Sequence, residues 1–217
     1  MATAEATGGT ALVWGATGGI GRAVVERLRA DGWTVGAVGR DADALPALTP
    51  HCYEADLSDA FSVQQAVMAM SQELGEIALF VYVAGDITSE QLAQMKPATW
   101  QRIMDANLTG AYLATHYSLP LLAEDAALVF VGAISERLRL PGLTAYVAAK
   151  AGLEAMIEAL RKEERHRRII LVRPAAVNTD FWQKVPFRMP ANALSPQAVA
   201  EKIVEAGRDA SSSVIDV

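Results

Sequence analysis

"TALVWGATGGIGRAVVERL", residues 10–28, decides how the rest of the chain is read. Residues 11–14 are apolar in succession and not in alternation, the pattern of a strand covered on both faces in a parallel sheet. Glycines then crowd the turn, and each serves a mechanical purpose. Gly15 allows the tight reversal, Gly19 lets backbone approach a pyrophosphate, and Gly21 lets the next helix pack close to the sheet. The amphipathic helix that follows presents free N–H groups and its positive dipole end to whatever the turn holds. Gly15, Thr17, Gly18, Gly19, Ile20 and Gly21 are therefore the candidate phosphate cradle, in the strand–turn–helix context that gives such a motif its meaning.

The same unit recurs outward from that stretch. Apolar runs closed by Gly or Pro stand at 33–39, 78–85, 126–133 and 168–174, with a weaker strand at 51–56 and a last one at 213–217. Helical spacing fills the gaps at 19–31, 58–74, 99–122, 144–165 and 195–207, with Ser58, Thr99 and the Ser-Pro pair at 195–196 as start signals. The alternation predicts an α/β fold: a single-domain, Rossmann-type doubly wound parallel sheet of about seven strands with helices on both faces. Ligands bind beyond the carboxyl ends of its strands.

Composition narrows the partners. With 217 residues and 52% apolar content the chain can fill one large core, and its net charge of -6 argues against a nucleic-acid or anionic-membrane surface. Cys52 is the single cysteine, so neither an internal disulfide nor a thiolate metal cluster can form, as suits a reducing cytoplasm. The first nine residues lack the features of a signal peptide, and no apolar run approaches the roughly 20 residues of a membrane helix. A cytoplasmic protein acting on a small molecule is expected. The charge run at 161–168 reads as a solvated helix end.

The second strand ends in Gly39, followed by Arg40. An acid at that tip would receive a ribose 2′-hydroxyl and repel a 2′-phosphate, whereas a guanidinium pairs with the phosphate, so NADP(H) is favoured over NAD(H). Asp41 stands beside Arg40 as the competing acid.

Tyr146 and Lys150 are four residues apart on a helix and share one face. A free phenol, with a pKa of about 10, is a poor base at neutral pH, and lowering it by about 3 units takes roughly 4 kcal/mol. A neighbouring ammonium and a positively charged nicotinamide ring can supply that, which would make Tyr146 a general acid–base group. Asn107 stands inside the predicted helix 99–122, where asparagine is intrinsically unfavourable and calls for a reason.

These features come in a fixed order: "GATGGIG" at 15–21, "ADL" at 55–57, "AG" at 84–85, "NLTG" at 107–110, "YVAAK" at 146–150 and "RPAAVNT" at 173–179. Over nearly its whole length the chain resembles the short-chain dehydrogenase/reductase family. The resemblance implies that Asp56 and Leu57 contact adenine, that Ala84 and Gly85 line the ribose side, and that Pro174, Val177 and Thr179 lie at the nicotinamide carboxamide. It also implies that Lys150 holds the nicotinamide ribose, that Asn107 holds a water in a proton relay to Lys150, and that helices 99–122 and 144–165 build a homodimer or homotetramer.

The chain departs from the family pattern in places. The usual serine, thirteen residues before the tyrosine, is Ala133; Tyr82 and Val83 replace the asparagine pair before Ala84; Trp14 and Ala175 replace a threonine and a glycine. Ser135, two residues beyond Ala133, shares its facing on an extended segment and is the candidate replacement hydroxyl, with a slower turnover or another orienting group as the alternatives. The stretch 179–195 resembles the family's substrate lid, with Phe181, Trp182, Phe187 and Met189, joined by Leu140 and Leu143, as an apolar cover. The expected activity is hydride transfer between NADP(H) and a carbonyl or secondary alcohol of a small, largely apolar molecule. A cofactor-binding sensor or assembly protein with little turnover is the alternative that Ala133 suggests, and an epimerase or dehydratase using the same tyrosine is a third.

Overall fold

The computed structural model describes residues 8–41, 43–208 and 213–217, without the side chains of residues 135 and 137. Among these, seven strands form: β1 (Thr10–Trp14), β2 (Thr34–Gly39), β3 (His51–Glu54), β4 (Ile77–Tyr82), β5 (Leu122–Val131), β6 (Arg168–Arg173) and β7 (Val214–Asp216). They make one sheet in the order β3-β2-β1-β4-β5-β6-β7, every neighbouring pair parallel, as the unbroken apolar runs require. The chain winds outward from β1 to β3 and then returns to place β4 on the other side of β1. That reversal opens a crevice beyond the carboxyl ends of β1 and β4.

Two helices, α1 (Gly19–Ala30) and α6 (Pro196–Arg208), bury Val24, Leu28, Val199 and Ile203 against one face of the sheet. On the other face α2 (Ala60–Glu73), α4 (Gly110–Ser118) and α5 (Thr144–Glu163) bury Val63, Met70, Ala114 and Leu153. Alternate residues of each strand feed the two layers: Leu12 and Trp14 go to the second, Ala11 and Val13 to the first. Full burial of each large side chain, such as Leu12, Phe80 or Leu128, contributes about 1.5–3 kcal/mol. No described helix is long and apolar enough to cross a membrane.

Three boundaries differ from expectation. The helix expected over 99–122 is α3 (Pro97–Met104), then a π-helical turn over Asp105–Thr109, then α4, then a 3-10 turn over Leu119–Leu121. Pro120 lies in that last turn, where its ring cannot continue an α-helix, and the chain enters β5 at Leu122, earlier than the expected 126. Asp59, not Ser58, caps α2 by accepting the Phe61 N–H at 2.9 Å. Ser58 donates its hydroxyl to Asp56 instead.

Candidate active site at the head of the sheet

At the glycine-turn end of the crevice the geometry is made by backbone. Gly15 has φ +90, and its amide and that of Ala16 both donate to the Val38 carbonyl at 2.9 Å, tying the turn to β2. A Cβ on Gly21 would lie 2.1 Å from the Gly15 carbonyl oxygen, so α1 can approach only because that side chain is missing. Gly18 precedes α1 without a side-chain cap, so no capping side chain accepts from the first-turn N–H groups. Thr17 packs over Gly39, and Thr179 reaches the start of α1, its methyl 2.9 Å from where a Cβ of Gly19 would stand. The sequence-derived cradle is thus assembled, with Ile20 turned partly into the core beneath it.

Arg40 is exposed at the tip of β2. It lines, with Glu54, Asp56, Asp59, Phe61 and Gln65, a cavity of about 450 Å³. The Asp56 carboxylate accepts both the amide and the hydroxyl of Ser58, at 2.9 and 2.8 Å, and these bonds hold it below the usual carboxylate range. Leu57 packs under Gly110 at the start of α4.

At the other end side chains converge on Gly85. From the point where its Cβ would stand, Asn107 Oδ1 is 2.9 Å away, Phe181 Cζ 3.7 Å and Lys150 Nζ 3.8 Å, while Ala84 packs its backbone on Gly15. Asn107 is fully buried; its Nδ2 donates to the carbonyls of Asp86 (2.7 Å) and Ile103 (2.9 Å), and its Oδ1 makes no hydrogen bond. A buried acceptor left open beside an ammonium is a place for a water or a ligand hydroxyl. Lys150 donates to the Val131 carbonyl at 3.1 Å and lies 5.8 Å from the centre of the Tyr146 ring. Burial lowers its pKa to about 8.

Burial pushes the Tyr146 phenol above its usual value in the protein alone, whereas the lowering expected from sequence draws on a positively charged nicotinamide ring as well as on Lys150. The reason is electrostatic: in the protein alone the cost of ionising a phenol away from water exceeds what an ammonium that is not bonded to it returns.

Tyr146 sits in an apolar cluster with Ile87, Ile103 and Leu143, to which Phe181, Val185 and Phe187 add. The expected cover is therefore partly assembled, but Leu140 and Met189 stay exposed, and Trp182 is drawn aside by its indole N–H bond to the Val177 carbonyl (2.8 Å). That carbonyl is thereby engaged. Pro174 is buried, and residues 176–178 pair with Leu194 through two backbone hydrogen bonds of 2.8 Å, which pinch the base of the 179–193 loop. Ala133 is buried and offers no hydroxyl. The extended backbone expected to align Ser135 with it ends at Val131, and Ser135 opens a 3-10 turn over Ser135–Leu138. The side chain on which the hydroxyl reading rests lies outside the described residues.

Sequence reading missed a charged group at this end. Asp86, buried to 7% exposure directly after Gly85, pairs with Lys184 of the 179–195 loop at 2.6 Å and with Arg102 of α3. The signal available was an acid closing an apolar strand; its partners stand far away in sequence.

Comparison with known proteins agrees with this geometry. The short chain dehydrogenase family is matched over residues 9–188. The 3-oxoacyl-[acyl-carrier-protein] reductase FabG of Thermotoga maritima is 28% identical over 95% of this chain and 93% of its own. Sulfoacetaldehyde reductase of Chromohalobacter salexigens is 32% identical over 69% of this chain and 64% of its own. Among solved structures, a short-chain oxidoreductase of Thermus thermophilus superposes with a TM-score of 0.80 at 31% identity, covering 95% of this chain and 99% of that one. An alcohol dehydrogenase from Thermococcus sibiricus, solved with 5-hydroxy-NADP, shares the fold with a TM-score of 0.86 at 21% identity, covering 97% and 95%. Relatives named as reductases and dehydrogenases favour the enzyme reading and lend none to the non-catalytic alternative that Ala133 suggested. Sheet order, glycine turn and matched sequence together make this chain an oxidoreductase of the short-chain dehydrogenase family.

Proposed function

We propose that the protein is an NADP(H)-dependent oxidoreductase that moves hydride between nicotinamide and a carbonyl or secondary alcohol of a small, largely apolar molecule. The observation that carries this is the convergence at Gly85, where an open buried acceptor on Asn107 and the Lys150 ammonium meet beside the Tyr146 ring. The uncapped start of α1 suits a pyrophosphate, and the exposed Arg40, directly after Gly39 at the end of β2, suits a 2′-phosphate. Asp56 and Leu57 would flank the adenine, Ala84 and Gly85 the ribose, and Pro174, Val177 and Thr179 the carboxamide. Val177 would do so once Trp182 releases its carbonyl.

When bound, the nicotinamide would supply the hydride in reduction and accept it in oxidation. Tyr146, kept protonated by burial, gives its proton to the substrate oxygen in reduction and takes it back in oxidation. Lys150, a cation below about pH 8, orients the ribose hydroxyls and favours phenolate during the transfer. Asn107 Oδ1 holds the water through which Lys150 is reprotonated. Ser135 is the proposed hydroxyl donor to the substrate oxygen in place of Ala133. The apolar cluster of Ile87, Leu143 and Phe187 around Tyr146 selects an apolar substrate. The loop 179–195 acts as a lid, whose Phe181 moves off Gly85 to admit the cofactor. We place the enzyme in the cytoplasm as a homodimer or homotetramer built on the helical segment 99–122 and on α5.

The test is a panel of aliphatic and aromatic aldehydes and ketones with NADPH and NADH. NADPH is expected to be consumed faster than NADH, and Tyr146→Phe to lower turnover about 10²- to 10⁴-fold with NADPH binding retained. Binding of NADPH by a wild type that reduces no carbonyl, or full activity in Tyr146→Phe, would refute the reading.

A further inference from the structure

Where the family pattern has an asparagine, the end of β4 carries Tyr82, which is fully buried. Its hydroxyl donates to the Ala106 carbonyl at 3.0 Å. That carbonyl belongs to the π-helical turn Asp105–Thr109, which contains Asn107. In an α-helix the Ala106 carbonyl would accept the amide four residues on, that of Gly110. Here the Gly110 amide goes to Asp105 instead, one residue further back, so the wide turn takes away the helical partner of Ala106 and the Tyr82 hydroxyl takes its place. Burial raises the Tyr82 phenol well above its usual value, so it remains a donor across the working pH range.

The surroundings fit the same arrangement. A Cβ on Gly110 would lie 2.7 Å from the Asp105 carbonyl oxygen and 2.9 Å from the Tyr82 hydroxyl, so both the wide turn and the phenol need a glycine there. Wide turns of this kind inside α-helices cluster at functional sites, because they re-aim one side chain without breaking the helix. The re-aimed side chain here is Asn107, whose Oδ1 points at Gly85 beside Lys150.

We infer that Tyr82 is a positioning residue: its hydroxyl holds open the π-turn that aims Asn107 at the proton path. This rests on the proposed role of Asn107 for its catalytic half, while its structural half stands alone.

The experiment uses Tyr82→Phe, which keeps the buried ring and removes one oxygen. Its crystal structure is expected to show the Gly110 amide returned to Ala106, with the Asn107 amide group rotated away from Gly85; an unchanged Gly110–Asp105 pairing overturns the inference. That readout needs no turnover, so a wild type inert toward every carbonyl would defeat the proposed function and leave this test intact. In an active enzyme, Tyr82→Phe is expected to lower kcat about tenfold or more, with NADPH affinity unchanged. In an Asn107→Ala background the same change should cost nothing further, since a residue acting only through Asn107 has nothing left to position. Additive losses in the double variant, or a kcat within twofold of wild type for Tyr82→Phe alone, overturn it.

Discussion

The two ends of the crevice are built by different means. At the glycine-turn end the decisive contacts are backbone to backbone: Gly15 against Ala84 and Val38, and Gly21 against the Gly15 carbonyl. At the Gly85 end they are side chains drawn from four separate segments: the buried Asn107 from the π-turn, Lys150 and Tyr146 from α5 and Asp86 after β4, with the half-exposed Lys184 from the 179–195 loop. A backbone site tolerates almost any sequence around its glycines but no side chain upon them. A side-chain site depends on each partner being held in place by others. The first end should therefore fail completely at single positions, and the second by degrees.

The largest effect is expected from Gly21→Val. Its branched side chain begins 2.1 Å from the Gly15 carbonyl oxygen, so either α1 moves off the sheet or the turn unwinds. Calorimetry should detect no NADPH uptake, and stability should fall by about 1–3 kcal/mol, the usual cost of overpacking. Uptake within a factor of two of wild type would mean that the glycine turn does not hold the cofactor.

A much smaller change is expected at the other end from Lys184→Met. Lys184 is half exposed, and its ion pair with the buried Asp86 ties the loop across Gly85, while Arg102 still serves the same carboxylate in the variant. On the proposed lid reading, in which the loop lifts to admit the cofactor, NADPH should bind about two- to fivefold more tightly, and with a weaker dependence on added salt. Fluorescence titration at low and high salt measures both. Weaker binding in Lys184→Met would instead assign the lysine to the bound cofactor.

The same contrast explains what could be read from sequence. The glycine turn, the strands and the parallel sheet were legible because each is written in a contiguous run: apolar residues in succession, then glycines at fixed offsets. The π-turn was not, since nothing in "DANLT" distinguishes a hydrogen bond reaching back five residues from one reaching back four. The determinant is Tyr82, on a strand 24 residues away. Asp86 and Lys184 are 98 residues apart, beyond any local pattern. Tyr146 and Lys150 were found by their helical spacing, but spacing reports proximity and says nothing of how much water burial removes, so the upward shift of the phenol in the protein alone was not legible. Asn107 was noticed because it conflicts with helix propensity, and such local conflicts mark places where tertiary structure has overridden it.

In the proposed reaction Tyr146 exchanges a proton with the substrate under the influence of Lys150. Burial depresses Lys150 to about 8, so its charge is lost earlier on raising the pH than in an exposed lysine, while Tyr146 is raised and stays protonated over the same range. The most direct test is the pH profile of kcat/KM for carbonyl reduction by NADPH, which reports ionisations of the free enzyme. It should be level below about pH 8 and fall above it, and Lys150→Met should show a lower profile without that falling limb. A profile level through the alkaline range in the wild type, or the same falling limb in Lys150→Met, would mean that the Lys150 ammonium does not govern proton transfer by Tyr146.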